Sequence, residues 1–164
     1  MHRTRSLPLV RLTLIQPFVE ELDRLRIDTD AILSANGLAR ASVTDPVVFV
    51  PIMVINRFLE NAAALAGDPY LGIHVGEKLD IAAWPPFIEA VSSAATLGEF
   101  FLHFIRAAQG EASTAYHLLE AGAVYSHFRE VRTCKQEITP AQNDGFTLAY
   151  CLRLLRLGAG TRWQ

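Results

Sequence analysis

At 164 residues, 51% of them apolar, the chain is long enough to bury a core without disulfide or metal staples and too apolar to be disordered. A formal net charge of −2, with the arginines scattered, excludes a phosphate-gripping surface, because neutralising a nucleic-acid backbone takes clustered Lys and Arg. Cys134 and Cys151 are too few for a secreted disulfide framework and form no CxxC pair, so they read as reduced thiols of a cytoplasmic protein.

The N-terminus carries His2, Arg3 and Arg5, but Arg11 interrupts the apolar stretch that follows and no small-residue cleavage site succeeds it, unlike a signal peptide. Pro17 suits the first turn of a helix with Phe18, Leu22 and Leu25 on one face, since its missing donor would be unpaired there anyway. Asp28 caps a short helix through Ile32 and Leu33 that stops at Gly37, a residue able to close it in the left-handed conformation. The longest apolar run, Val47 to Ile55, contains Pro51 and falls short of the roughly 20 residues that span a bilayer. Pro51 opens a longer helix in which Ile55, Phe58, Leu59 and Ala62 recur at helical spacing until Gly67, and Asp68-Pro69 restarts a helix at once.

From Thr96 to Gln109 runs the cleanest helix, with Leu97, Phe100, Phe101, Phe104, Ile105 and Ala108 in one stripe and Thr96 with Glu99 as a capping box. The period then changes. Ala115 to Leu119 and Val124 to Phe128, rich in aromatic and branched residues, read as a hairpin with Gly122 in the turn. Thr139 and Gln142 form a second capping box for a last helix bearing Leu148, Leu152 and Leu155 and closing near Gly158. A lone hairpin leaves its edges unpaired and its face unburied, so at least one more strand is expected, from Leu7 to Ile15, from polypeptide after Gln164, or from a partner chain. The fold class is α+β, mostly helical with a small antiparallel hairpin or sheet, in one unit without repeats or linkers.

Few residues suggest chemistry. His74 and Glu77 stand three apart on a helix and can face one ion, but a carboxylate-bridged metal site needs a second such pair and none exists. His103 lies on the polar side of the Phe-rich helix, while His117 and His127 lie in the hairpin, so only tertiary folding can bring them together. Ser92, Ser93 and Ser126 lack a Gly-x-Ser-x-Gly elbow and an assignable base, and Cys134 beside Lys135 is a lone thiol at a strand end. Neither catalytic residues, nor a metal, nor a cofactor is assigned. Gly72 and Gly76 fall within a helical pattern, where each costs about 1 kcal/mol relative to alanine, so another backbone or side chain must pack closely there. On the second strand Tyr125, His127 and Arg129 share one face and Val124, Ser126 and Phe128 the other. If the first face looks inward, Arg129 needs an acidic partner or an anionic ligand; if the second does, Arg129 is an exposed arginine on a half-buried strand.

Three stretches carry a resemblance: Gly67-Asp68-Pro69, then Leu71-Gly72 with Gly76-Glu77 and Leu79, then Ser93 with Thr96-Leu97-Gly98-Glu99. In this order they resemble the N-terminal effector-binding (arabinose-binding-like) domain of AraC-type transcription regulators. Leu25-Arg26-Ile27-Asp28, Ile32-Leu33 and Asn36-Gly37-Leu38 are similar to that family's opening helices, so the likeness covers most of the chain. It implies that residues 1–164 are a single ligand-sensing and dimerisation domain, a piece of a longer protein that continues into a C-terminal helix-turn-helix region. The implied partners are a small-molecule effector, a second copy of the chain, and DNA only through that further region, with no membrane.

The segment Trp84-Pro85-Pro86-Phe87 departs from the relatives, which commonly have small residues and glycine there. Two prolines hold both rings stiffly at a helix entrance. Either they plug the core, or Trp84 and Phe87 wall an apolar effector pocket together with Phe101, Phe104, Tyr116 and Phe128, with Arg129 as its charged candidate. The expected function is therefore effector sensing for an AraC-type regulator rather than catalysis. The rivals are a free-standing small enzyme or lipid-binding protein on a similar scaffold, and a degenerate domain serving only protein association.

Overall fold

The computed structural model describes residues 7–81, 88, 90, 92–135 and 138–159, the side chains of 157–159 excepted. Its described part is α+β, with seven α-helices and two antiparallel two-stranded sheets. The chain enters through β1 (Leu9–Arg11), a 3-10 turn (Leu12–Ile15) and α1 (Gln16–Arg24), with Pro17 in the first turn. Phe18, Val19 and Leu22 are buried from α1, but the helix stops at Arg24 and Leu25 turns outward, a departure from the expected face. Glu21 is buried and accepts from Arg24 at 2.7 and 2.8 Å and from Lys78 at 2.8 Å, so its charge is compensated where it leaves water.

Helix α2 (Thr29–Ala35) opens as expected, the Asp28 carboxylate accepting the Ala31 N–H at 3.0 Å. It closes through Gly37 at φ +71°, with Gly37 N–H on Ser34 O and Leu38 N–H on Leu33 O, while Leu33 and Leu38 are both buried. After a single turn, α3 (Arg40–Val43), β2 (Phe49–Pro51) pairs with β1 in the register Leu9↔Pro51, Val10↔Val50, Arg11↔Phe49. Helix α4 (Ile52–Ala66) buries Ile55, Phe58, Leu59 and Ala62 and ends at left-handed Gly67. Helix α5 (Leu71–Lys78) begins two residues after Pro69, and the Asp68 carboxylate accepts the Tyr70 N–H at 2.9 Å.

Helix α6 (Leu97–Ala108) buries Phe100, Phe101 and Phe104, and Thr96 Oγ1 accepts from Glu99 N–H at 3.2 Å. Strands β3 (Ala115–Ala121) and β4 (Ser126–Arg132) form the hairpin. Its turn is of the expected width but lies two residues later, at 122–125 instead of 120–123, so that Val124 and Tyr125 fall outside the second strand and are exposed. The expected extra strand is only partly found. Residues 9–11 do form one, but its ladder partner is β2; it meets the hairpin only at its root, through the Val10↔Ala112 bridge and the bonds Arg11 N–H to Glu111 O and Ser113 N–H to Leu9 O.

Helix α7 (Ala141–Ala159) packs against α5 more closely than any other pair of described helices. A Cβ on Gly72 would lie 2.0 Å from Gln142 O, and one on Gly76 would lie 2.8 Å from both Ala149 Cβ and Phe146 O, which is the close approach the two glycines implied. Two expectations about α7 need correction. Gln142 does not reach back to Thr139: its buried amide donates to Pro69 O at 3.0 Å and accepts Gly72 N–H at 2.9 Å, while its own N–H bonds Glu60 on α4 at 3.0 Å. A carboxylate from α4 thus sits at the N-terminus of α7, where the helix dipole favours it. The buried face is also rotated from the leucine row. Phe146, Ala149, Tyr150 and Leu154 go inward, Leu148 is exposed, and Leu152 and Leu155 are half-buried, because the packing against glycines on α5 takes precedence over the Leu spacing.

Candidate functional site

The inner layer of the hairpin, the last turns of α6 and the middle of α7 leave a cavity of about 120 Å³ between them. Leu14 and Ile15 wall it from the N-terminal turn, Phe18 from α1, and Ile52, Ile55 and Leu59 from α4. Phe104 and Ala108 come from α6, and Phe146 and Tyr150 from α7. Set in this apolar wall are Thr114, His117 and Glu130 from the hairpin, Glu111 just before it, and Asn143 and Thr147 from α7. An apolar body with a few convergent polar groups is the usual make-up of a small-molecule site.

Strand pairing dictates which polar groups arrive. His117 and Glu130 are direct cross-strand partners, as are Leu119 and Phe128, and alternation turns all four side chains to the same face. The His117 ring lies almost parallel to Phe128, 5.5 Å between centroids, and meets Phe104 edge-on at 5.3 Å. Its Nε2 stands 3.5 Å from Glu130 Oε2, at the outer limit of hydrogen bonding, and that buried nitrogen has no closer partner among the described residues. The imidazole nevertheless holds the Glu130 carboxyl below its ordinary range, against the opposing effect of burial, so Glu130 is an anion. Burial pushes the Tyr150 phenol well up, which keeps it neutral and able to donate. The Cys151 thiol, on the same helix, is pushed up to about 12 by burial and is not an activated nucleophile.

The expected pocket residues divide. Phe104 lines the cavity, and Phe101 and Phe128 lie behind it, 4.6 Å between their centroids with the ring planes tilted by 35°, and Phe104 is 6.1 Å from Phe128. Tyr116 and Arg129 do not join them. They project from the outer face of the hairpin, both exposed, with Arg129 paired to Glu120. The inward face is therefore that of Phe128, and Arg129 is the exposed arginine of the two alternatives. Trp84 and Phe87 lie outside the described residues. Glu130, Tyr150 and the α7 side chains are the site residues that sequence reasoning passed over. Glu130 had a signal, since it stands two residues beyond Phe128 on the same face.

Other polar clusters are committed elsewhere. His74 is exposed and pairs with Asp68 at 2.6 Å, and no group of three His, Cys, Asp or Glu among the described residues is placed to hold a metal. A roomier groove, about 360 Å³, lies between α2 and α4. Its polar groups already bond one another or the backbone: Asn61 to Asn36, Asn36 to Ile32 O, and Asp28 to the Ala31 N–H. These polar groups are engaged locally at the rim, whereas those of the smaller cavity converge within an apolar wall, so the smaller cavity is the better site.

A helical layer closed by an antiparallel ribbon over a partly polar cavity defines a small α+β domain with a candidate small-molecule site. Residues 27–164 match the family described as the arabinose-binding domain of AraC transcription regulator, N-terminal, and the chain belongs to that family. A search of curated proteins gives no match. No helix among the described residues is long and apolar enough to cross a membrane.

Proposed function

We propose that residues 1–164 form one effector-binding and dimerisation domain of a cytoplasmic AraC-type regulator, with DNA read by a separate helix-turn-helix region. One observation carries the reading: the mainly apolar cavity under the hairpin, in which Phe104, Phe146 and Tyr150 surround the His117 and Glu130 pair. Membership in a family of regulator domains supports it, and so does the net charge of −2, which leaves phosphate contacts to another module. A small molecule acts here by binding one arrangement of the domain better than another, since only differential affinity shifts a conformational equilibrium. Self-association is supported by the hairpin, whose outer face exposes Tyr116 and Leu118 and whose outer edges meet no third strand among the described residues. Trp84 and Phe87 remain candidates for the cavity wall.

Native mass spectrometry of protein purified from its own host tests the reading. A co-purified small molecule is expected, lost in Phe104→Ala and in Trp84→Ala while helix content is kept. Preparations that carry no molecule and turn over a metabolite unaided would refute it.

A further inference from the structure

The charges around the cavity narrow the choice of effector, given that the chain is an effector-binding domain. Glu111 and Glu130 both reach the cavity, whereas no described Lys or Arg lines it. The nearest guanidiniums are already engaged. Arg11 pairs with Glu111 at 2.9 Å and donates to the Gly110 and Pro46 carbonyls; Arg132 pairs with Asp144 and stands 3.8 Å from Glu130. Three carboxylates, Glu111, Glu130 and Asp144, thus face two guanidiniums, Arg11 and Arg132, an excess of one negative charge. An anionic ligand would lose its hydration among apolar walls with no free cation to replace it, and would meet like charge at the polar end. A hydroxyl or ammonium group meets the opposite situation. It can donate to Glu130, and a hydroxyl can also accept from His117 Nε2, the buried atom whose distance to Glu130 leaves room for a better partner.

Size supplies the second restriction. A dry cavity of about 150 Å³ holds a benzene ring, so at 120 Å³ this site suits a body of that order. We propose that the cavity binds a compact uncharged or cationic molecule, a ring-sized apolar body carrying one hydroxyl or amine that contacts Glu130 and His117, and that it rejects carboxylates.

Three probes of similar size test this: benzyl alcohol, benzylamine and benzoate, titrated into the 164-residue chain with ligand-observed NMR. The alcohol and the amine are expected to bind at least tenfold more tightly than benzoate. Glu130→Gln should narrow that gap severalfold by weakening the amine and admitting the acid. Benzoate binding as tightly as the alcohol in the unsubstituted chain would overturn the proposal, with no variant required. Failure of all three probes also overturns it, and the co-purified ligand then separates the cases: if one is found, effector sensing stands and only its chemistry is wrong.

Discussion

Replacing Gly72 by alanine adds one methyl group at the tightest helix contact among the described residues. The new Cβ would lie 2.0 Å from Gln142 O, 2.7 Å from its carbonyl carbon and 2.9 Å from its Cα, all backbone of α7 that no rotamer change can move. Ordinary contact begins near 3.4 Å, so α5 and α7 must part by more than an ångström locally. Overpacking of this kind costs about 1–3 kcal/mol. Separation also stretches the buried bond from Gly72 N–H to Gln142 Oε1, 2.9 Å long, whose loss costs about 1–3 kcal/mol. Alanine returns about 1 kcal/mol of helix propensity. The net expectation is destabilisation of about 3 kcal/mol, which for a chain of this size lowers Tm by roughly 6–12 °C. Gly98→Ala is the control: its Cβ would meet only Thr96 Oγ1 at 3.9 Å, so it should be neutral or slightly stabilising. Urea and thermal unfolding followed by circular dichroism measure both. A Gly72→Ala variant within about 0.5 kcal/mol of the parent would refute the close-packing argument, since surface substitutions span that range.

Acid should destabilise the chain between about pH 4.5 and 2. Glu21, bonded to Arg24 and Lys78, and Asp23, bonded to Arg40 and Thr29, are each held down to about 2 in the folded state, so their stabilisation is complete above the unfolded values and is lost as pH falls through the folded ones; Glu21→Gln should flatten the measured slope in this window. Asp28→Ala removes the carboxylate that accepts the Ala31 N–H and should cost about 1 kcal/mol in urea unfolding. Phe104→Ala deletes a ring that meets His117, Phe128 and Tyr150, and should cost about 3–5 kcal/mol. The same variant should admit a larger apolar probe, an effect read by ligand-observed NMR and absent if the site lies elsewhere.

The punctuation of the fold is plain in the sequence because its causes are local. Asp28, Gly37, Pro51, Gly67 and Thr96 act on backbone groups within a turn of themselves, and the structure has each at a helix boundary. Gly72 and Gly76 disclose a close neighbour for a similar reason, since their cost within a helix demands compensation. The face of α7 is less legible. Its leucine row is a sound amphipathic pattern, but which side goes inward is decided by the glycines of α5, some 70 residues away, and by the Gln142 amide. The site suffers from the period-two rule of strands, under which the inward face of β4 is a binary choice. Once Phe128 is inward, Glu130 follows and Arg129 is excluded. Pairing with His117 depends on the hairpin register, which the position of the turn sets.

Helix α7 is fastened to α5 at three levels: the Gln142 amide at its start, the glycine contacts through Phe146 and Ala149, and Arg153, which donates to Glu77 O and to Leu79 O at 2.7 Å. The two helices therefore behave as one stiff beam. Phe146 and Tyr150 touch the cavity from the near half of α7, which at 19 residues is about 28 Å long. Were a guest to bind there as proposed, a displacement of those rings would be passed to both helices together, since α5 is tied to α7 at each of these levels.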